Sequence, residues 1–532
     1  MPRSVPGPGG FEATGRAAIA RIGIALLLTL SACARSGPPP QDAFVVMADE
    51  VFGAGYTHIS ERYVEPVSMS DVALAGMAAI DKIDDHLHVL RRGADIVLTS
   101  DGTTIRVFPA PQDEDPVAWA NLTTEVLESG REASPLLRDA DPERIYEVVF
   151  GGALSGLDPF SRYASAAVAR EQRAQRDGFG GIGITIKLAE DQLRVESVVE
   201  DSPAAKAGIK ADSAILEING QPTTGLSLED AVDRLRGTVG SSLSLVVAAP
   251  GDPHRREVSL RRALIVPPTV TYARYGNIAY FRISSFNQRT TSSLSHAMKQ
   301  ALRDMGPALR GAVLDLRGNP GGLLDQAVTV SDLFLTHGRI LSTSGRHPDS
   351  NQIFDAAGTD LLHGLPVAVL VNGGTASAAE VVAAALQDEG RAIVVGSASY
   401  GKGTVQTVHR LPNDGEIIIT WSRIMAPSGY GLNHLGVIPT ICTSKAEADT
   451  PEAVSAVLDE VKTGRLETAA ARSALRANGA PSRAEIRLLR ASCPPRNGDS
   501  KVDLTVAEDL IEDGNLFAHA LGPSSSEIAK RP

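Results

Sequence analysis

Basic residues are in deficit in this chain: 51 lysines and arginines against 63 aspartates and glutamates leave a net charge of −12. That balance gives no electrostatic footing for nucleic acid, and none is expected as a partner. Cysteine is rarer still, at three residues, and beyond the N-terminus no apolar run is long enough to span a bilayer. No internal repeat is found, which sets aside a solenoid. No Gly-x-Ser-x-Gly elbow is present, so a Ser-His-Asp hydrolase lacks its nucleophile turn, and His409 would be its only evident base. Metal ligands are thin. Asp85-His86-Leu87-His88 holds two histidines two apart with no further ligand at useful spacing, which reads as a solvated face; no metal or other cofactor is expected. What remains is an ordinary globular composition, 43% hydrophobic and 21% charged. At 532 residues the chain is too long for one core and fits three or four domains.

The first segment reads as an export signal. Arg3, Arg16 and Arg21 precede an apolar run over 22–30, which ends in Leu30-Ser31-Ala32-Cys33. That ending resembles the lipobox of bacterial lipoproteins, in which the cysteine is acylated and becomes the first mature residue. The resemblance implies a signal peptide over 1–32, lipid on Cys33 and a short stiff tether over 33–42. The protein would then face the periplasm, lipid-anchored to a membrane of the bacterial cell envelope; a soluble periplasmic protein is the alternative. With Cys33 lipidated, Cys442 and Cys493 remain as a candidate disulfide in an oxidising setting, or as two free buried thiols.

Residues 43–175 have a mainly helical pattern. Phe44, Met47 and Val51, then Val72, Leu74, Met77 and Ile80, recur near a period of 3.6. Residues 96–98 and 103–108 flank Asp101-Gly102 as a small hairpin, and 142–154 gives another helix before a turn at Leu157-Asp158-Pro159. Residues 176–263 form a separate β-rich unit. Its opening, 178–183, satisfies Gly-x-Gly-x-x-Gly, but a helical stretch precedes it and a strand follows, the reverse of a dinucleotide site. Instead, Gly181-Ile182-Gly183-Ile184 leads a strand, 202–209 supplies a short helix, 215–220 a strand and turn, and 228–236 an amphipathic helix. That order resembles a PDZ domain of the kind found in bacterial proteases. The resemblance implies that residues 181–184 offer backbone N–H groups to a peptide's C-terminal carboxylate while the peptide adds a strand to the sheet. A PDZ that has lost its ligand and serves as a lid is the alternative.

Between 264 and 445 strands and helices alternate, with strands expected at 277–283, 311–316, 367–371 and 392–396 and helices at 292–305, 324–334 and after Ser377. From 446 to 532 the composition is helical, ending in a helix over 506–521. The chemistry gathers in the α/β stretch. Ser377 opens an Ala-rich helix, Lys402 stands between two glycines, and Gln406 follows four positions later. A serine attacks an acyl carbon only if a base takes its proton, and a partly desolvated lysine can be that base. Ser377-Ala378-Ala379-Glu380 is also a capping box, which alone would give the serine a structural task. Three features favour chemistry. Gly373-Gly374 lets the backbone approach a substrate, and the N–H groups of Ser377 and Ala378 sit at a helix N-terminus, where negative charge is favoured. Third, an extended chain would put Lys402 and Gln406 on one side, the amide carbonyl accepting from the amine. An exposed lysine is the ordinary alternative.

Residues 373–380, Leu386-Gln387-Asp388, 400–406 and 315–322 look like motifs of the carboxy-terminal processing proteases, Ser/Lys peptidases of the S41 type. Leu157-Asp158-Pro159 and Gly436-Val437-Ile438-Pro439 fit the same family, and the likeness runs from about Glu50 to Thr440. It implies a multidomain protein: an α/β (ClpP/crotonase-like) protease core, a PDZ domain in series before it, and helical N- and C-terminal regions. It implies a serine endopeptidase working through an acyl-enzyme, with Ser377 as nucleophile, Lys402 as general base and Gln406 orienting that base. The backbone N–H groups of Ala378 and of Gly321 or Gly322 would hold the oxyanion, with Asp388 supporting the site from the helix end. The PDZ domain would recognise peptide segments and gate the site. Protein or peptide substrates, an adaptor lipoprotein and a homo-oligomer are the partners it suggests. A catalytically silent, PDZ-containing peptide-binding scaffold is the rival. Thr375 and Ala379 stand where the family often has serine, Tyr400 where it has phenylalanine, and Thr440 where an acidic residue is common; residues 91–116 are extra.

Overall fold

A computed structural model describes residues 43–189, 192–252, 254–446, 448–478 and 481–522. The signal segment, Cys33 and the tether lie outside the described residues. Among the described residues no helix is long and apolar enough to cross a membrane.

Helices Ala43–Arg62 and Met69–Ala78 come first, the second capped by Ser68, whose side chain accepts the Asp71 N–H. The expected hairpin is a three-stranded antiparallel sheet, Leu87–Arg92, Asp95–Ser100 and Thr103–Pro109. The additional strand takes in His88, so the histidine pair straddles a turn and a strand end. Residues 91–116 are therefore mostly this sheet. Asp115 and Pro116 then start an 18-residue helix, Pro116–Ala133, in a stretch where no element was expected. With Pro142–Leu154 these elements close a core around Phe52, Tyr56, Trp119, Tyr146 and Phe150. The same core includes Ile417 and Ile419 of strand Glu416–Met425, so the N-terminal region is built onto the strand beside Thr404–Arg410.

The PDZ unit has its own apolar core, with Val195, Ile218, Ala231 and Leu245. Its sheet runs Arg255–Arg261, Ser242–Ala248, Ala214–Ile218, Gln192–Val198 and Ile184–Ala189. The last of these is an edge strand, with one side unpaired among the described residues. Beside it lies helix Leu228–Leu235, leaving a groove of about 330 Å³ lined by Gly183, Ile184, Ile186, Leu228, Val232 and Leu235.

The α/β core is a six-stranded sheet in the order Val270–Tyr275, Ile278–Ile283, Gly311–Asp315, Val367–Val371, Ile393–Gly396 and Ile441–Cys442. Its first pair is antiparallel and every other pair parallel. Alternation sorts its side chains. Val367, Val369 and Val371 face a cluster with the helices Thr290–Met305, Leu324–Ser331 and Ala378–Asp388. Ala368 and Leu370 face the C-terminal helices Pro451–Lys462 and Lys501–Glu512. Covered on both faces, the parallel strands are apolar throughout. The helix expected over 506–521 is two helices, because Asp513 leaves the first and caps the second through the Asn515 and Leu516 N–H groups. A second sheet joins Gln352–Asp355, Arg339–Ser344, Glu416–Met425 and Thr404–Arg410, with Arg162–Ala164 paired to Glu416–Met425.

Candidate active site

Ser377 sits where strand Val367–Val371 leaves the sheet and enters helix Ala378–Asp388. The capping box with Glu380 is formed, but the serine has φ = +55°. A cap normally has an extended backbone; a left-handed value on a serine is a strain of roughly 1–3 kcal/mol, of the kind found at functional turns. Gly321 makes the tight approach possible, since a Cβ there would lie 2.8 Å from Ser377 Cβ and 3.0 Å from Ala378 N.

Glu380 organises the rest. It is fully buried, and its two oxygens accept four hydrogen bonds: Oε2 from the N–H groups of Ser377 (2.7 Å) and Lys402 (2.9 Å), and Oε1 from the Gly401 N–H (2.7 Å) and the Ser399 hydroxyl (2.5 Å). One carboxylate oxygen thus ties together the main chains of the serine and the lysine, distant in sequence. Burial pushes the Glu380 carboxyl up, while the four donors pull it back; with every donor aimed at it, the carboxylate form is the one this cage fits. The glycines around Lys402 serve backbone packing. A Cβ on Gly403 would fall 1.9 Å from Asn433 N, and Gly401 takes φ = +94° while its carbonyl accepts the His434 N–H at 2.8 Å.

The Lys402 amine is half-buried, and burial together with the Arg162 charge lowers its pKa, against upward pulls from Glu380 and Asp158. It lies 5.0 Å over the Phe160 ring. No hydrogen bond joins it to Ser377 Oγ or to Gln406. The expected Lys402–Gln406 contact is therefore corrected: Gln406 Nε2 donates to Thr404 Oγ1 (2.8 Å) and Thr420 Oγ1 (3.3 Å). Strand Thr404–Arg410 begins only after Lys402, so the extended alternation on which that contact relied does not reach the lysine; opposite Val405 and Gln406 the partner strand carries one extra residue, Trp421. Thr420 passes the chain on to Asp158, which also takes the Ser161 hydroxyl and the Phe160 N–H, so the Leu157-Asp158-Pro159 turn belongs to the site's wall.

The Ser377 N–H is taken by Glu380 and the Gly321 N–H by Asn319 Oδ1 at 2.8 Å. Gly322 bridges Phe286 through its neighbours, leaving the Gly322 and Ala378 N–H groups without a partner among the described residues. Asp388 lies at the far end of the Ser377 helix. It holds Ser428 through N–H (3.1 Å) and hydroxyl (2.6 Å), with Arg476 at 3.9 Å, and burial raises its pKa against those partners. In the PDZ unit, the N–H groups of Ile182 and Gly183 carry no partner among the described residues, while Gly181 and Ile184 flank them at the groove. Cys442 and Cys493 are bonded, with Cα atoms 5.7 Å apart. His409 stacks on His58, its ring contacting the Thr407 hydroxyl.

A peptidase family S41 model matches residues 277–443, and a PDZ domain model matches residues 171–248. The carboxy-terminal-processing protease of Bartonella bacilliformis is 40% identical over 304 residues, 57% of this chain and 70% of that one. The chain belongs to the carboxy-terminal-processing proteases. A second member, carboxy-terminal processing protease CtpA of Bacillus subtilis, is 31% identical over 58% of this chain and 66% of its own length. The solved photosystem II D1 C-terminal processing protease aligns over 75% of this chain and 92% of its own at 24% identity, with a TM-score of 0.37. Within this family of serine-type proteases, residues 377–402 all fall inside the S41 match, whereas Asp158 lies before both matches and Asp503 after them.

Proposed function

We propose that this protease is an exported serine endopeptidase in which Ser377 attacks the scissile carbonyl and Lys402, as the neutral amine, takes its proton. The observation that carries the proposal is the single Glu380 oxygen accepting both backbone amides, which draws together the main chains of the serine and of the lysine whose amine is partly desolvated. The tetrahedral oxyanion would be met by the Gly322 and Ala378 N–H groups. The amine then returns the proton to the leaving nitrogen, and water hydrolyses the acyl-enzyme by the same route in reverse. The amine lies over the Phe160 ring and would have to turn toward the Ser377 hydroxyl before attack.

The PDZ groove is proposed to take a C-terminal or unfolded peptide segment and to gate delivery to Ser377, on a ClpP/crotonase-like core. Lipidation at Cys33, a periplasm-facing membrane anchor, an adaptor lipoprotein and a homo-oligomer belong to the same proposal and rest on the sequence alone. The scaffold reading draws on one observation, the missing Lys402–Ser377 hydrogen bond. Casein or tagged-peptide cleavage by wild type and Ser377→Ala separates the two. The proposal expects turnover only in wild type; equal, near-zero rates in both leave the scaffold.

A further inference from the structure

Past residue 443, where the S41 match ends, the chain returns to the site. Cys493 is bonded to Cys442, and the residues after it run along the two glycine turns that flank Ser377. The Arg496 carbonyl accepts the Gly373 N–H at 2.8 Å, and the Gly498 carbonyl accepts Asn372 Nδ2 at 3.0 Å. Asn372 Oδ1 in turn accepts the Gly318 N–H at 2.9 Å and the Gly374 N–H at 3.0 Å. Beneath them Asp503, 1% exposed, receives Arg317 Nη1 (3.2 Å), Arg496 Nη2 (3.1 Å) and the Thr443 hydroxyl (2.5 Å). Arg317 completes its fork on Asp315 at 2.7 Å and on the Ser500 carbonyl at 2.7 Å.

We propose that segment 493–503 is a positioning strap for the oxyanion half of the site, locked in place by the Cys442–Cys493 bond. Gly318, Gly321 and Gly322 all take positive φ; Asn319 and the bridge to Phe286 hold the Gly321–Gly322 end of the turn, while its Arg317–Gly318 end is held through Asp315, Asn372 and Asp503. Oxyanion donors work only when held at a fixed spacing, so both ends of the turn need restraint. The strap supplies it through carbonyls on one turn and the Asp503–Arg317 pair on the other. Anchoring alone does not need these contacts, because Val502, Val506 and Leu510 already seat helix Lys501–Glu512 on the sheet. Asp503, Arg496 and Arg317 act through the turns and are positioning residues.

Deuterium exchange and kinetics on the full chain test this in Asp503→Asn, in the Cys442→Ser/Cys493→Ser pair, and in wild type treated with dithiothreitol. The reagent's two thiols deliver two electrons and two protons to the protein disulfide, leaving two cysteine thiols and the oxidised ring of the reagent. Uptake is expected to rise over 316–322 and 371–377 while helix Ala378–Asp388 stays protected. On a cleavable peptide, kcat should fall about tenfold with KM within about twofold, and reoxidation should restore wild type. The double-serine variant covers slow reduction of the buried Cys493 and should not respond to the reagent. Unchanged uptake in the two turns overturns the strap. So does a general rise in uptake in which kcat falls only in step with the folded fraction. The kinetic arm rests on the proposed hydrolase and the exchange arm does not: altered uptake without any wild-type turnover would fault the hydrolase and keep the strap.

Discussion

At the scale of single residues, Glu380 explains how the main chains of a serine and a lysine distant in sequence are held together. Its carboxylate is the acceptor for four donors, so Glu380→Gln turns an acceptor-only group into one that presents an NH₂ to N–H groups. That change should cost roughly 2–4 kcal/mol of stability and most of the activity, checked by denaturant midpoint and peptide turnover. Ser377 makes a second prediction. Its left-handed backbone is strained for any residue with a Cβ, so Ser377→Gly should be about 1 kcal/mol more stable than Ser377→Ala in thermal melts, both being inactive. The proposed base, Lys402, makes a pH prediction: burial lowers its pKa from 10.5, and with the neutral amine as the proposed active form kcat/KM should rise with pH through a midpoint below that value. Glu380 was legible in the sequence only as the far end of a capping box. Its bonds to Ser399, Gly401 and Lys402 depend on tertiary packing, for which local spacing carries no signal.

At the scale of elements, strand Thr404–Arg410 starts two residues after Lys402, which separates what alternation would have joined. Lys402 before the strand and Gln406 within it were both identifiable by type, yet their mutual orientation was not. The oxyanion glycines show the same limit. Nothing in Arg317 to Gly322 says that Asn319 occupies the Gly321 N–H and leaves Gly322 open. Further along the strand, His409 stacks on His58 of helix Ala43–Arg62, with Arg62 and Glu61 nearby. Burial first, then His58 and Arg62, bring His409 down to about 4 from 6.5. The folded state therefore binds fewer protons than the unfolded one between those values, and stability should fall as pH drops through that window. His409→Gln should flatten this slope in melts across pH 6.5 to 4 without changing the plateau above it.

At the scale of the whole molecule, the order of PDZ unit and α/β core was readable because each has turn residues and periodicities of its own. Less was readable where segments distant in sequence meet. The N-terminal helices share a core with Ile417 and Ile419, and the C-terminal strap reaches the turns around Ser377. The PDZ groove yields a prediction at this scale. Val232→Arg, on the helix facing edge strand Ile184–Ala189, should weaken binding of an apolar C-terminal peptide by at least about tenfold in fluorescence anisotropy, the loss of one buried aliphatic contact. The core cluster around Val195 and Leu245 should keep the domain folded.

The dyad itself is tested most directly by the steady-state hydrolysis of one tagged peptide by wild type, Ser377→Ala and Lys402→Ala at equal folded concentration. The account predicts that Lys402→Ala falls to the Ser377→Ala background, a loss of about 10³-fold or more. Lys402→Ala turning over within about tenfold of wild type, while Ser377→Ala is dead, would contradict it and assign the proton to another base.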